Sequence, residues 1–230
     1  MMIPGAGSRP GLPQRAWSLA KRAVIMELRI TESLWRVIAR RPKLSPGDRG
    51  FRYHRPVLTV LIVLMVVSAV EIPILDFIVH RWLPVRIFFL VLGIWGVTWM
   101  IGLLCGYLTR PHTVGPRGIR VREGLELDIA IPWENFAEIR LFETKSDPND
   151  PDNKPKRLFD EDGARVCAIR IASETNLELR LEGPTRVRLP GLPPKGGDQE
   201  IEVLRFWSDD PKGMLRAVAE ELEGRGVPGA

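Results

Sequence analysis

Two apolar runs separated by only seven residues constrain this chain more than any other feature of its sequence. From Val57 to Val79, VLTVLIVLMVVSAVEIPILDFIV supplies 23 mostly apolar residues, with Glu71 and Asp76 its only ionisable side chains. As a helix it would extend about 34 Å, enough to cross a hydrocarbon core of about 30 Å. The second run, Ile87 to Leu108, reads IFFLVLGIWGVTWMIGLLCGYL and carries no charge. A chain of 230 residues has too little core to surround two such helices, so they are read as an antiparallel transmembrane hairpin at residues 57–79 and 87–108.

Charge sets the expected orientation. Residues 1–56 hold 12 Lys and Arg against Glu27, Glu32 and Asp48, whereas the remainder holds 21 basic and 25 acidic residues. The flank after Leu108 begins with Arg110, and the turn between the runs has only Arg81 and Arg86. Basic residues stay on the cytoplasmic side, so both termini are expected in the cytoplasm and the chain in the plasma membrane. A basic block directly before an apolar run is explained by anionic lipid headgroups, so nucleic acid is not expected as a partner.

In an antiparallel pair centred on Leu83, residues whose numbers sum to 166 lie at similar depth. Ser68 then meets the level of Thr98, and Glu71 that of Trp95, whose indole could satisfy the carboxyl group. Trp95, Trp99, Gly102 and Gly106 recur at helical spacing, and Gly102-Leu-Leu-Cys-Gly106 is a GxxxG that permits close backbone approach. The stripe fits packing against the first span or against a second copy, so a homo-oligomer stays open. Glu71, Asp76 and His80 also suggest a proton path, but one hairpin cannot enclose a route across a bilayer. They are read as structural or interfacial groups.

Before the hairpin, the Gly/Pro-rich residues 1–13 are expected to be disordered. Residues 14–56 form a basic segment and linker. Within it Trp17, Ala20, Val24 and Leu28, then Leu34, Trp35 and Ile38, recur at helical spacing. That pattern fits a helix on the membrane surface or one packed on the soluble domain. No removable signal peptide is recognised, and Met26 opens a better-formed segment that could serve as an alternative start.

After Arg110 the pattern becomes short alternation. Residues 118–122, 125–131, 136–142, 166–172, 177–182, 185–189 and 201–207 read as seven half-buried strands, joined mostly by Gly, Pro, Asn or Asp turns. Antiparallel pairing into a sandwich or barrel follows. Residues 143–163 read as a mobile acidic loop; DPNDPDNK lacks the glycine and distant glutamate of a helix-loop-helix calcium site. Pro190 to Gln199 reads as a second loop. Asp209-Asp210-Pro211 then starts a closing helix with Met214, Val218 and Leu222 on one face, and residues 225–230 form a disordered tail.

The stretch PHTVGPRGIRVREGLELDIAIPWENFAEIR, residues 111–140, resembles the opening of bacterial pleckstrin-homology-like membrane proteins. It has a Gly-containing first strand, a hairpin, and Ile-Pro-Trp before the third strand. With the preceding hairpin and closing helix, the resemblance covers residues 27–224. It implies an α+β membrane protein: a two-helix hairpin followed by a seven-stranded antiparallel domain, residues 111–224, capped by a helix. Arg117, Arg120 and Arg122 are similar to the basic pattern that binds lipid headgroups or partners in this fold. Glu123, Glu126 and Asp128 depart from it, because they would oppose a polyphosphate.

No catalytic residue, metal ligand set or cofactor is expected. His54, His80 and His112 lie at membrane flanks, and Cys105 and Cys167 have no metal-ligand spacing. The expected function is a non-enzymatic membrane-anchored binding or scaffold protein that contacts the bilayer and a membrane or cytoplasmic protein. An anionic-lipid-binding module, or an accessory subunit of a transporter or envelope-assembly complex, is the alternative.

Overall fold

A computed structural model describes residues 44–145, 157–191 and 196–226. The segment 1–13 expected to be disordered, the segment up to Lys43 expected to be helical in part, most of the expected acidic loop, residues 192–195 and the last four residues therefore lie outside the described residues.

The chain is α+β. A short strand, β1 (Arg49–Phe51), leads into two long helices, α1 (Arg55–Ile78) and α2 (Leu83–Thr109). Eight strands follow: β2 (His112–Gly115), β3 (Gly118–Glu123), β4 (Leu127–Ile131), β5 (Phe136–Lys145), β6 (Leu158–Glu161), β7 (Ala164–Ile169), β8 (Glu174–Leu189) and β9 (Gly197–Phe206). Helix α3 (Pro211–Glu223) ends the fold.

Both long helices are apolar enough to cross a membrane. No residue of α1 is buried, and the hairpin leaves Val63, Val67, Ile74, Phe88, Val91 and Ile94 exposed. The two helices approach closely at Gly93, where a Cβ would come 2.7 Å from Ile72 Cγ1. This register is one residue from the expected one. At the far end Arg86 donates to Asp76 at 2.5 and 2.9 Å, bridging the turn.

The strands form two sheets, ordered β1-β2-β3-β4 and β5-β8-β9-β7-β6. This corrects the expected seven antiparallel strands in three respects. Residues 177–182 and 185–189 belong to one strand, β8, which passes through a register shift between Arg180 and Thr185 and so can pair with different parts of β9. The short strands β1, β2 and β6 were below the length at which alternation is informative. Finally, β7 runs parallel to β9, with Val166 opposite Val203 and Ile169 opposite Phe206.

The core lies between the sheets and under α3. Val121, Ile129, Ile131, Leu177, Leu179, Leu204 and Phe206 fill it, and Met214, Ala217, Val218 and Leu222 close it from the helix. Asp210 caps α3 by accepting from the Gly213 amide at 2.9 Å, and Pro211 occupies the first turn, where no amide donor is needed. Trp133, in the Ile-Pro-Trp motif, donates its indole N–H to the Gly115 carbonyl and fastens the end of β4 to β2. Gly118 is required at the turn into β3: its φ is +132°, and a Cβ there would overlap the Ile131 carbonyl.

Candidate functional site

The two long helices are inserted into a sheet. Phe51, before α1, pairs with His112, after α2, so the chain leaves the β domain and returns to it at adjacent strands. The groups at this junction were largely missed from sequence.

His112 is its centre. The ring is buried, stacks on Tyr53 with centroids 4.5 Å apart, and meets Phe206 edge-on at 5.3 Å. Nδ1 accepts from the Arg122 amide at 3.0 Å, and Nε2 lies 2.9 Å from the Trp207 carbonyl. Only the neutral ring protonated at Nε2 satisfies both partners. Burial lowers the His112 pKa to about 4; the Trp207 carbonyl opposes this and the Arg122 charge adds to it. Tyr53 is equally buried, and its hydroxyl accepts from the Gly124 amide at 2.9 Å.

Asp209 holds the other foot. Its carboxylate accepts from the Arg55 amide at 3.2 Å and from the Trp207 indole at 3.1 Å, while its own amide donates to the Arg52 carbonyl. A negative charge at the first exposed amides of α1 complements the helix dipole. The foot of α2 sits on the β3–β4 turn. Arg110 donates to the Leu125 carbonyl at 2.7 Å, and a Cβ on Gly106 would lie 2.5 Å from Leu125 Cδ2.

Beside this foot is a cleft of about 320 Å³, lined in part by Leu103, Tyr107, Leu125 and Pro190. Its polar end is the Glu123–Arg157 pair, with Arg157 Nη2 donating to Glu123 Oε2 at 2.7 Å. Burial holds the Glu123 carboxyl above the usual carboxylate range, with Arg157 working in the opposite direction.

The three arginines selected from sequence have different surroundings. Arg117 is exposed at the β2–β3 turn and donates to the Ser45 hydroxyl at 2.7 Å. Arg120 is paired in bidentate fashion with Asp128 at 2.5 and 2.9 Å. Arg122 is 2% exposed; its guanidinium donates to the Pro111 carbonyl and lies 3.5 Å from Asp128. Alternation does put Arg120 and Arg122 on one face, but that face is occupied by Asp128, and Arg122 has no exposed guanidinium to offer a headgroup. Arg117 and Arg120 border a groove of about 260 Å³ with Asp48 and Pro132. Strand β2 separates this turn from the end of α2 by four residues, about 13 Å of extended chain.

The expected helix-packing residues also separate. Ser68 and Trp99 are half-buried, Glu71 is exposed, and Trp95 is 54% exposed, with no hydrogen bond between Glu71 and Trp95. Gly102 and Gly106 are buried, and the close approach at Gly106 is to the β domain.

A second polar centre lies on the five-stranded sheet. Glu178 is fully buried and accepts from Arg205 at 2.8 Å, Arg140 at 2.6 and 2.9 Å, and Arg180 at 3.1 Å. Burial alone would raise its pKa; the three guanidinium hydrogen bonds outweigh burial and lower it. Arg205 also pairs with Glu161 at 2.6 Å and lies 4.1 Å from the Phe142 ring centroid. Adjacent-strand register, Arg140 opposite Glu178 and Glu178 opposite Arg205, builds this row.

Among the described residues, no three His, Cys, Asp or Glu side chains gather as a metal site. Burial pushes the Cys167 thiol up to about 12, which suppresses the nucleophilic thiolate at neutral pH. No family model, curated protein or solved structure matches the chain.

Proposed function

We propose that this chain is a non-enzymatic, membrane-anchored binding or scaffold protein, with a pleckstrin-homology-like β domain held at the cytoplasmic face of the plasma membrane. The observation that carries this reading is the insertion of an apolar hairpin between paired strands β1 and β2. Such a hairpin has two feet on one side of the bilayer, as the basic flanks require. Its exposed apolar surface far exceeds what a soluble monomer tolerates, and lipid is the solvent that suits it.

The domain is mounted through hydrogen bonds and stacked rings at both feet, with no flexible linker between Thr109 and His112. The domain is therefore held at a set height, and the Arg117–Arg120 groove lies at the opposite end of β2 from the end of α2. A protein partner in the cytoplasm suits that groove better than the protein's own bilayer. Lateral association with a membrane protein is the second reading, favoured by open space beside Gly96 and the exposed Trp95.

Two measurements test this. Arg81→Cys and Arg117→Cys proteins are labelled with an impermeant maleimide in intact cells; Arg81→Cys should react from outside and Arg117→Cys only after lysis. Mild-detergent pull-downs then compare the native sequence with Arg117→Glu and Gly96→Leu. A stoichiometric partner lost in Arg117→Glu supports the distal groove, and one lost in Gly96→Leu supports the lateral complex. Protein recovered alone in every pull-down removes the scaffold reading.

A further inference from the structure

The cleft at the foot of α2 combines an apolar wall with a pair of opposite charges, and its position relative to α2 suggests what fills it. Leu103 lies six residues before Thr109, about 9 Å along the helix axis. If α2 is a membrane span, the apolar wall of Leu103 and Leu125 begins at the depth of the upper acyl chains. The polar end, Glu123 and Arg157, then falls at headgroup level. The volume of about 320 Å³ is at the lower end of the range for small-molecule sites, roughly 300–1,000 Å³.

The charges restrict the ligand further. Arg157 has five N–H donors, one of which holds Glu123, and its side chain is 35% exposed. Glu123 is 21% exposed, and the lining also includes Glu126. A purely anionic headgroup could use Arg157 but would be repelled by two carboxylates. A zwitterion would be matched at both ends, and the Tyr107 side chain also lines the cleft.

We propose that this cleft binds the headgroup of an aminophospholipid, with the phosphodiester on Arg157 and the primary ammonium on Glu123. The proposal rests on the membrane reading above. It differs from the arginine-based expectation in using a balanced pair at the hairpin foot instead of Arg117, Arg120 and Arg122.

The test is native mass spectrometry of the full-length protein in mild detergent, with equimolar phosphatidylethanolamine, phosphatidylcholine and phosphatidylglycerol. Choline carries no N–H donor, so losing one charge-assisted hydrogen bond should favour ethanolamine adducts by about fivefold over choline. Glu123→Gln should reduce that preference to less than about twofold, and Arg157→Gln should weaken all three lipids. Equal binding of ethanolamine and choline lipids by the unaltered protein overturns the proposal, whatever the variants do. Saturable calorimetric binding of free phosphoethanolamine without any lipid preference also overturns it, because the ligand would then be a soluble phosphoester. Alkaline extraction of native membranes separates the two levels of failure. Protein that stays in the membrane but shows no preference sinks the headgroup site alone, and protein that is extracted sinks the membrane reading as well.

Discussion

Acidification should weaken the junction through His112, and its size can be worked out. The ring is neutral in the folded protein, with a pKa lowered to about 4 by burial, against an ordinary value of 6.5. The folded state therefore binds fewer protons than the unfolded state between these values. The His112 contribution is fully present above pH 6.5 and is lost as pH falls toward 4. At pH 5 the loss is about 2 kcal/mol, and below pH 4 it approaches about 3 kcal/mol. His112→Gln removes the titration but keeps an amide that can accept from the Arg122 N–H and donate to the Trp207 carbonyl.

Denaturant unfolding of both proteins in mild detergent at pH 7.5, 6 and 5, followed by near-ultraviolet circular dichroism, isolates this term. Other titrating groups, including His54 and Glu123, are common to both proteins and cancel in the difference. The stability of wild type relative to the variant should fall by about 2 kcal/mol between pH 7.5 and 5. A difference that stays within about 0.5 kcal/mol across this range would mean that the ring is hydrated and titrates alike in the folded and unfolded protein. The junction would then not be the closed contact described above.

Three other perturbations test separate parts of the structure. Gly106→Leu forces a side chain into Leu125 and should destabilise the domain by about 1–3 kcal/mol, read as a lower denaturant midpoint; an unchanged midpoint would mean that α2 does not rest on the β3–β4 turn. Glu178→Ala leaves three arginines without their shared acceptor. Because Arg140 and Arg180 are half exposed, the cost should be near the lower end of the range for a broken buried pair, about 3 kcal/mol in the same assay. Asp209→Ala removes the acceptor at the start of α1 and should cost about 1 kcal/mol, with faster amide exchange at Arg55 as the local signature.

The large features were legible because their signals are long. Two long, mostly apolar runs define the helices, and the Asp210-Pro211 start and spaced apolar face define α3. Strands β3, β4, β5, β7 and β9 follow from alternation. The missed strands have three or four residues, although Phe51 and Tyr53 do alternate with Arg52 in the stretch assigned to a linker. What sequence spacing cannot supply is the identity of the neighbour. Period two puts Arg120 and Arg122 on one face but does not say that Asp128 stands opposite, which depends on the β3–β4 register. Likewise the Gly102–Gly106 stripe announces a close approach. Whether a helix or the β3–β4 turn makes that approach is a tertiary matter.

The position of β1 gives the hairpin a part in the β domain itself. Three residue pairs between β1 and β2 are too few to hold an isolated strand in place, and closing a flexible connection of more than fifty residues would cost further entropy. Two packed helices return the chain to its starting point with most of that freedom already removed. Tyr53 then enters beneath His112, and Asp209 accepts from the Arg55 amide at the start of α1. The fourth strand of one sheet thus depends on the α1–α2 pair being formed. Association of the helices and completion of the β domain are thermodynamically linked, so whatever loosens the hairpin should also loosen the sheet edge beside the Arg117 groove.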